Sequence, residues 1–197
     1  MLGSHLIFST YGFWPPNDPR GSWSTEVRAH HLYEIGGDAT TVSVRHSIAA
    51  KPHDPGVRSA IKQALKRPAV ELTGLQARAA ARGIAEMLPK LQLTIHALAV
   101  LPDHIHVVAA DHAIHADELI EALKRAATRG MNTEGLHPHA AHPRSNGRLP
   151  TPWAAGGWKA FLNTPADMRR RIKYVDQNPL RAGLKPQHWS CITPYAG

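Results

Sequence analysis

A single cysteine, Cys191, stands in a chain of 197 residues, which rules out an intramolecular disulfide and a multi-thiolate zinc site and leaves that residue the role of a small buried apolar side chain. Nowhere do about 18 apolar residues follow one another, as a membrane span requires. The start, Met1 to Thr10, lacks the basic region and long apolar stretch of a secretion signal. The chain therefore reads as cytoplasmic. Internal repeats are missing too, and no Gly-x-x-x-x-Gly-Lys loop is there to cradle a nucleoside triphosphate. Negative charge is in short supply: 15 acidic residues face 23 Lys and Arg, a formal charge of +8. Such an excess attracts polyanions, nucleic acid first among them. The hydrophobic share of 43% is enough for one compact domain with a true core.

His5 to Thr10 predicts a first strand, which breaks into a loop rich in Pro, Gly and Asn over 11–23. Periodicity is weak over 24–70, so short helices and irregular structure are expected there, one helix covering Val57 to Lys66. The alanine-rich stretch Thr73 to Leu88 has strong helix propensity, with Leu75, Ala79, Ile84 and Leu88 on its apolar face. Gln92–Val100 and His104–Ala110 should pair as a hairpin about Leu101-Pro102-Asp103. Ala116 to Arg129 is amphipathic, with Lys124, Arg125 and Arg129 off the apolar stripe. A connector follows over 132–152, in which His137, His139 and His142, set among Pro and Ala, read as solvated. After a short strand over 157–162, Thr164, Pro165 and Asp167 announce a final helix through a Thr-x-x-Asp capping box. Pro179 should end it at Asn178. Strand, helix, paired strands, helix, strand, helix is the order of an α+β fold with a ferredoxin-like antiparallel sheet and helices packed on one face.

Alternation along a strand sends His104 and His106 to the same side, as a two-imidazole clamp for a metal ion. With 14 histidines in the chain such a pair also arises by chance, so a third ligand and a nucleophile are needed to give it meaning. On the final helix, 100° per residue puts Met168, Ile172 and Val175 on a core stripe. Tyr174 and Asn178, four apart, stack on a neighbouring flank near Arg171. Taken singly, Tyr174 is an aromatic packed at a sheet edge and Asn178 a helix terminator.

Leu101-Pro102-Asp103-His104-Ile105-His106-Val107-Val108 resembles the His-hydrophobe-His strand of the single-tyrosine HUH transposases. Tyr174-Val175-Asp176-Gln177-Asn178-Pro179-Leu180-Arg181-Ala182-Gly183-Leu184 resembles their tyrosine helix, above all in the REP-associated branch. Phe8-Ser9-Thr10-Tyr11-Gly12-Phe13-Trp14 and Asp18-Pro19-Arg20-Gly21-Ser22-Trp23 are similar to the entry segment of that branch. The resemblance implies an HUH endonuclease fold, a single domain over 1–197 with an insertion near 24–72. It implies that His104, His106 and Asn178 hold Mg2+ or Mn2+ and that Tyr174 attacks a phosphodiester of single-stranded, hairpin-containing DNA. A covalent 5′-phosphotyrosine link then retains the bond energy for rejoining. Arg20, Lys124, Arg125, Arg129, Arg170, Arg171 and Lys173 are the expected DNA contacts, with Arg169 beside them. One or two of Trp14, Trp23, Trp153, Trp158 and Trp189 would stack on bases. Two other functions stay open: a single-stranded nucleic-acid-binding protein that no longer cuts, and a metal-dependent hydrolase that activates water and has no use for Tyr174. A homodimer is open as well, and with it whether Tyr174 serves its own His pair or a partner's.

Overall fold

The computed structural model describes residues 1–22, 24–42, 48 and 50–197, which fall into two compact units, one of 1–10 with 71–197 and one of 11–70. Trp23 lies outside the described residues. In chain order the elements are β1 (Gly3–Ser9), α1 (His30–Gly36), α2 (Pro55–Gln63), α3 (Gly74–Met87), β2 (Ile95–Val100), β3 (His104–Ala110), α4 (Ala116–Thr133), β4 (Trp158–Leu162) and α5 (Pro165–Arg181).

In the larger unit the four strands lie in the order β2-β3-β1-β4, every neighbouring pair antiparallel. With α3 and α4 as crossovers, the path is the β-α-β-β-α-β of ferredoxin-like folds. The α+β antiparallel sheet is thus as the sequence implies. Inner strand β1 is sealed on both sides, Leu6 and Phe8 facing one layer and His5 the other, all three at most 1% exposed. The turn before β3 is pinned by Thr10, whose backbone N–H and hydroxyl both donate to the Asp103 carbonyl, at 2.8 and 3.0 Å.

The two crossover helices share the Leu6 and Phe8 face and cross at Gly83 and Gly130, where each glycine abuts the other helix's backbone. The final helix departs from the one-face expectation. Register places Ala97, Ala99, Val108 and Leu162 on the opposite face, and Met168 and Val175 of α5 close over them, with Ile172 beside them. The physical reason is that this second face is itself apolar and needs a cover. The capping box at Thr164 forms as expected, with Asp167 N–H donating to Thr164 Oγ1 at 3.1 Å.

Pro179, however, does not end α5. The helix runs on to Arg181 and stops at Gly183, whose φ of +73° allows Leu184 N–H to reach the Pro179 carbonyl (2.8 Å) and Gly183 N–H the Leu180 carbonyl (3.0 Å). That is a Schellman ending, and it is the glycine that provides the stop. Beyond it the tail closes the open edge of β2. The Gln187 amide exchanges two hydrogen bonds with Val100, at 2.9 and 2.8 Å, and Trp189 Nε1 donates to the Leu98 carbonyl at 3.0 Å. Cys191 is half-buried here rather than enclosed, and burial raises its thiol above the usual range.

In the unit of residues 11–70, Asp54 caps α2 by accepting from Gly56 and Val57 N–H, which starts the helix two residues before the expected Val57. Its centre is the fully buried Asp18, held by Arg20 through Nε and Nη2 at 2.8 Å each and by Arg58 Nε at 3.4 Å. Burial pushes the Asp18 carboxyl up, but the Arg20 hydrogen bonds and the charges of Arg20 and Arg58 outweigh it, leaving the group below the usual carboxylate range. Arg20 also stacks on Trp14, its guanidinium carbon 3.9 Å from the ring centroid. It is 4% exposed, so the expectation that Arg20 contacts DNA is corrected: the guanidinium is spent neutralising a buried carboxylate.

Candidate functional site

The β1–β3 register pairs Ile7 with His106 and Ser9 with His104, so both histidines share the α5 face with His5, paired to Val108. His104 sits at the strand end and is partly exposed, whereas His106 is buried. Their rings meet at 71°, with centroids 4.6 Å apart. Each is engaged through Nδ1: His104 with Asp103 Oδ1 at 2.5 Å, His106 with His5 Nε2 at 3.0 Å. The Asp103 carboxylate holds the His104 proton at Nδ1 and so selects Nε2 as that ring's ligand atom, while for His106 the tautomer of the His5–His106 pair decides which nitrogen keeps a lone pair. Burial, with the charge of Arg171 and the neighbouring His104, lowers the pKa of His5 to about 3. Burial first, then His104, His5 and Arg171, carries His106 well below its ordinary value. Both rings are therefore neutral at physiological pH, and for His106 that is the state a metal ligand requires.

From α5, Tyr174 is turned edge-on to both inner rings, 5.8 Å from His106 and 6.0 Å from His5 between centroids. It is half-buried at the margin of the α5 core. Two guanidiniums lie over its ring, Arg171 at 5.8 Å and Arg181 at 5.4 Å, and Arg171 also covers Trp158 at 5.8 Å. One turn on, Asn178 is buried and its Nδ2 has no hydrogen-bond partner among the described residues. Turning that amide about its last bond places its oxygen where the nitrogen lies. Among the described residues no three His, Cys, Asp or Glu side chains gather around a common point, so a bound cation would draw on two imidazoles and a ligand of another kind. The Asn178 amide, an orphaned buried polar group, fits that description.

The structure thus brings together His104, His106, Tyr174 and Arg171 on one side of the sheet. Arg170 and Lys173 are exposed on the same helix, Arg170 in contact with Asp167. Arg125 and Arg129 are exposed on α4, which covers the other face of the sheet. Lys124 requires a correction: its Nζ is buried and donates to Glu121 Oε1 (2.7 Å), the Ala154 carbonyl (2.9 Å) and the Gly156 carbonyl (2.7 Å). All three of its donors are taken, so it anchors the 154–156 turn that leads into Trp158 and offers no donor to a phosphate. Lys124→Ala is accordingly expected to lower thermal stability, by about 1–3 kcal/mol for the carbonyls left unpaired, while DNA affinity measured under folded conditions stays within twofold. A selective loss of affinity at unchanged melting temperature would restore Lys124 to the expected DNA contacts.

Two residues of the site escaped the sequence. In the sequence His5 is only one residue of a strand, because the register that sets it beside His106 joins segments 101 residues apart. Its one signal was a histidine inside an otherwise apolar run. Arg181 lay past the expected helix end. Of the tryptophans, Trp153 is buried with Nε1 bonded to the Lys124 carbonyl and Thr128 Oγ1, and Trp189 is tied to β2. Trp158 is at the site, edge-on to His5 at 5.3 Å. The connector histidines also depart from expectation: His137 and His139 are buried, His139 N–H donating to His137 Nδ1 at 3.1 Å, and only His142 is exposed.

No protein-family model and no curated protein matches the chain. Among solved structures, it is similar to a REP-associated tyrosine transposase bound to a REP hairpin, at 16% identity over 68% of this chain and 88% of that one, with a TM-score of 0.42. It is also similar to a protein of Deinococcus radiodurans R1 described as a transposase, at 18% identity over 88% of this chain and 89% of that one, with a TM-score of 0.40. Neither likeness assigns a role to a residue here.

Proposed function

We propose that the chain is a single-tyrosine HUH-type DNA transposase domain, which cuts and rejoins single-stranded, hairpin-containing DNA through a covalent 5′-phosphotyrosine link at Tyr174. One observation carries this reading: Tyr174, from α5, lies 5.8 Å from His106 of β3 between ring centroids. The two motifs on which the family resemblance rests, 68 positions apart (174 − 106), thereby meet at one place.

His104 and His106, through Nε2, and the Asn178 amide fit a divalent cation, magnesium or manganese, with imidazole ligands favouring manganese. When bound, such an ion polarises a non-bridging phosphate oxygen and offsets the charge of the in-line transition state. The chain's own groups do the rest. Tyr174 Oη forms a bond to phosphorus as the bond from phosphorus to the 3′ oxygen breaks. The phenolic proton is released and the departing oxygen ends as a 3′-hydroxyl, so proton and charge balance. Arg171 and Arg181, flanking the ring, supply positive charge where the phosphate must lie. Exposed Arg170 and Lys173 extend that charge for the strand's backbone. Attack of a 3′-hydroxyl on the phosphotyrosine reverses the step and rejoins DNA without a nucleoside triphosphate. No helix among the described residues is long and apolar enough to cross a membrane.

The test is incubation of the protein with end-labelled single-stranded DNA and manganese. Wild type should give a denaturation-resistant protein–DNA adduct and release a strand ending in a 3′-hydroxyl. His106→Ala should lose manganese binding by calorimetry and all adduct, yet keep most DNA affinity, because basic residues meet many phosphates and the cation only one. Cleavage without adduct would put the hydrolase in place of this reading, and binding without cleavage the silent binding protein. Undiminished cleavage by His106→Ala would dismiss the His pair as a metal site.

A further inference from the structure

We infer that His5 is a positioning residue for that His pair: its Nε2 accepts the Nδ1 proton of His106 and so holds His106 in the tautomer that presents an Nε2 lone pair to a divalent cation. This rests on the metal role given to His106 above. A neutral imidazole has one N–H and one lone pair, so in the 3.0 Å contact between His5 Nε2 and His106 Nδ1 one ring donates and the other accepts. Only with His106 as donor is its Nε2 left to coordinate; His5 then carries its own proton on Nδ1.

The surroundings fix the geometry of the pair. His5 is fully buried, and its ring lies nearly parallel to His106, with 13° between planes and 5.2 Å between centroids. Trp158 and Tyr174 close on it edge-on from two sides, at 5.3 and 6.0 Å. The bond to His106 is the one hydrogen bond its side chain makes among the described residues, because its Nδ1 is enclosed without a partner. An apolar ring would fill this space equally well. The polar function of His5 is therefore directed wholly at His106, in the way that Asp103 is directed at His104.

The test uses the full chain, manganese calorimetry and two variants. His5→Phe keeps the ring volume and removes the acceptor, and manganese affinity should fall by about 10- to 100-fold, the usual effect of losing a group that orients a metal-bound histidine. His5→Gln puts an amide oxygen near the position of Nε2 and should bind within about threefold of wild type. In a ¹⁵N-histidine spectrum of the wild type loaded with zinc, a diamagnetic probe, His106 and His5 should both be protonated at Nδ1. Wild-type affinity in His5→Phe, or equal losses in both variants while folded, would overturn the inference. So would a spectrum in which His106 coordinates through Nδ1, an outcome that stands even if His5→Phe fails to fold. A wild type that binds no metal would instead remove the functional reading itself, whereas manganese binding abolished by His106→Ala but untouched by His5→Phe would remove only the role of His5.

Discussion

Tyr174→Phe is expected to abolish the covalent protein–DNA adduct completely while DNA affinity and melting temperature remain near wild type. The substitution removes one oxygen. The ring that packs at the margin of the Ala97, Ala99, Val108, Leu162, Met168 and Val175 cluster is retained, as are its edge contacts with His5 and His106. Loss of a half-buried hydroxyl should change stability by no more than about 0.5–1 kcal/mol. Chemistry does not scale in that gentle way, since without an attacking oxygen no phosphotyrosine can form. The measurement is denaturing electrophoresis of labelled single-stranded DNA after incubation with manganese, followed by peptide mapping of the wild-type adduct. An adduct in the Phe variant, or one mapped to Tyr11, Tyr33 or Tyr195, would make another residue the nucleophile.

The second large effect concerns the scaffold. A Cβ on Gly130 would stand 2.1 Å from the Ala79 carbonyl oxygen and 2.8 Å from Gly83 N; one on Gly83 would stand 2.1 Å from the Ala126 carbonyl oxygen. These are backbone atoms on both sides, unable to swing aside as a side-chain tip would, so α3 and α4 would have to separate along their crossing. Helix propensity works the other way, alanine being better than glycine by about 1 kcal/mol. The collision wins, because over-packing a close contact costs about 1–3 kcal/mol even where neighbours relax. With the new Cβ so close to backbone the cost lies at the upper end of that range, so after the propensity gain Gly130→Ala is expected to lose about 2 kcal/mol and to lower the melting temperature by about 4–8 °C, taking roughly 2–4 °C per kcal/mol for a chain of this size. Gly74→Ala, with open space around the new methyl, should be neutral or slightly stabilising. Equal melting temperatures for Gly130→Ala and wild type would mean that the two helices part freely.

The same contrast between local and distant causes separates what could be read along the chain from what could not. Strand alternation set His104 and His106 on one side, helical spacing gave the Met168, Ile172 and Val175 stripe, and Thr164 with Asp167 announced the start of α5; each depends on neighbours within about one turn or two strand positions. The element order implied the sheet for the same reason. Pro179 is a local helix-stop signal that the fold overrides, because the stop is provided at Gly183 by two hydrogen bonds that reach back to Leu180 and Pro179. That extra turn is what carries Arg181 to Tyr174. Charge proved a poor guide to exposure at Arg20 and Lys124, since whether a cation meets solvent or a buried acceptor depends on which chain segments pack against it, Asp18 in one case and the 154–156 turn in the other. Periodicity and capping made the helices, the strands and the shared side of the two histidines legible. Only tertiary packing could choose the strand register that sets His5 against His106, the sheet face that receives α5, and the cations that are buried, because hydrophobic burial and sheet register act between residues that have no fixed spacing in sequence.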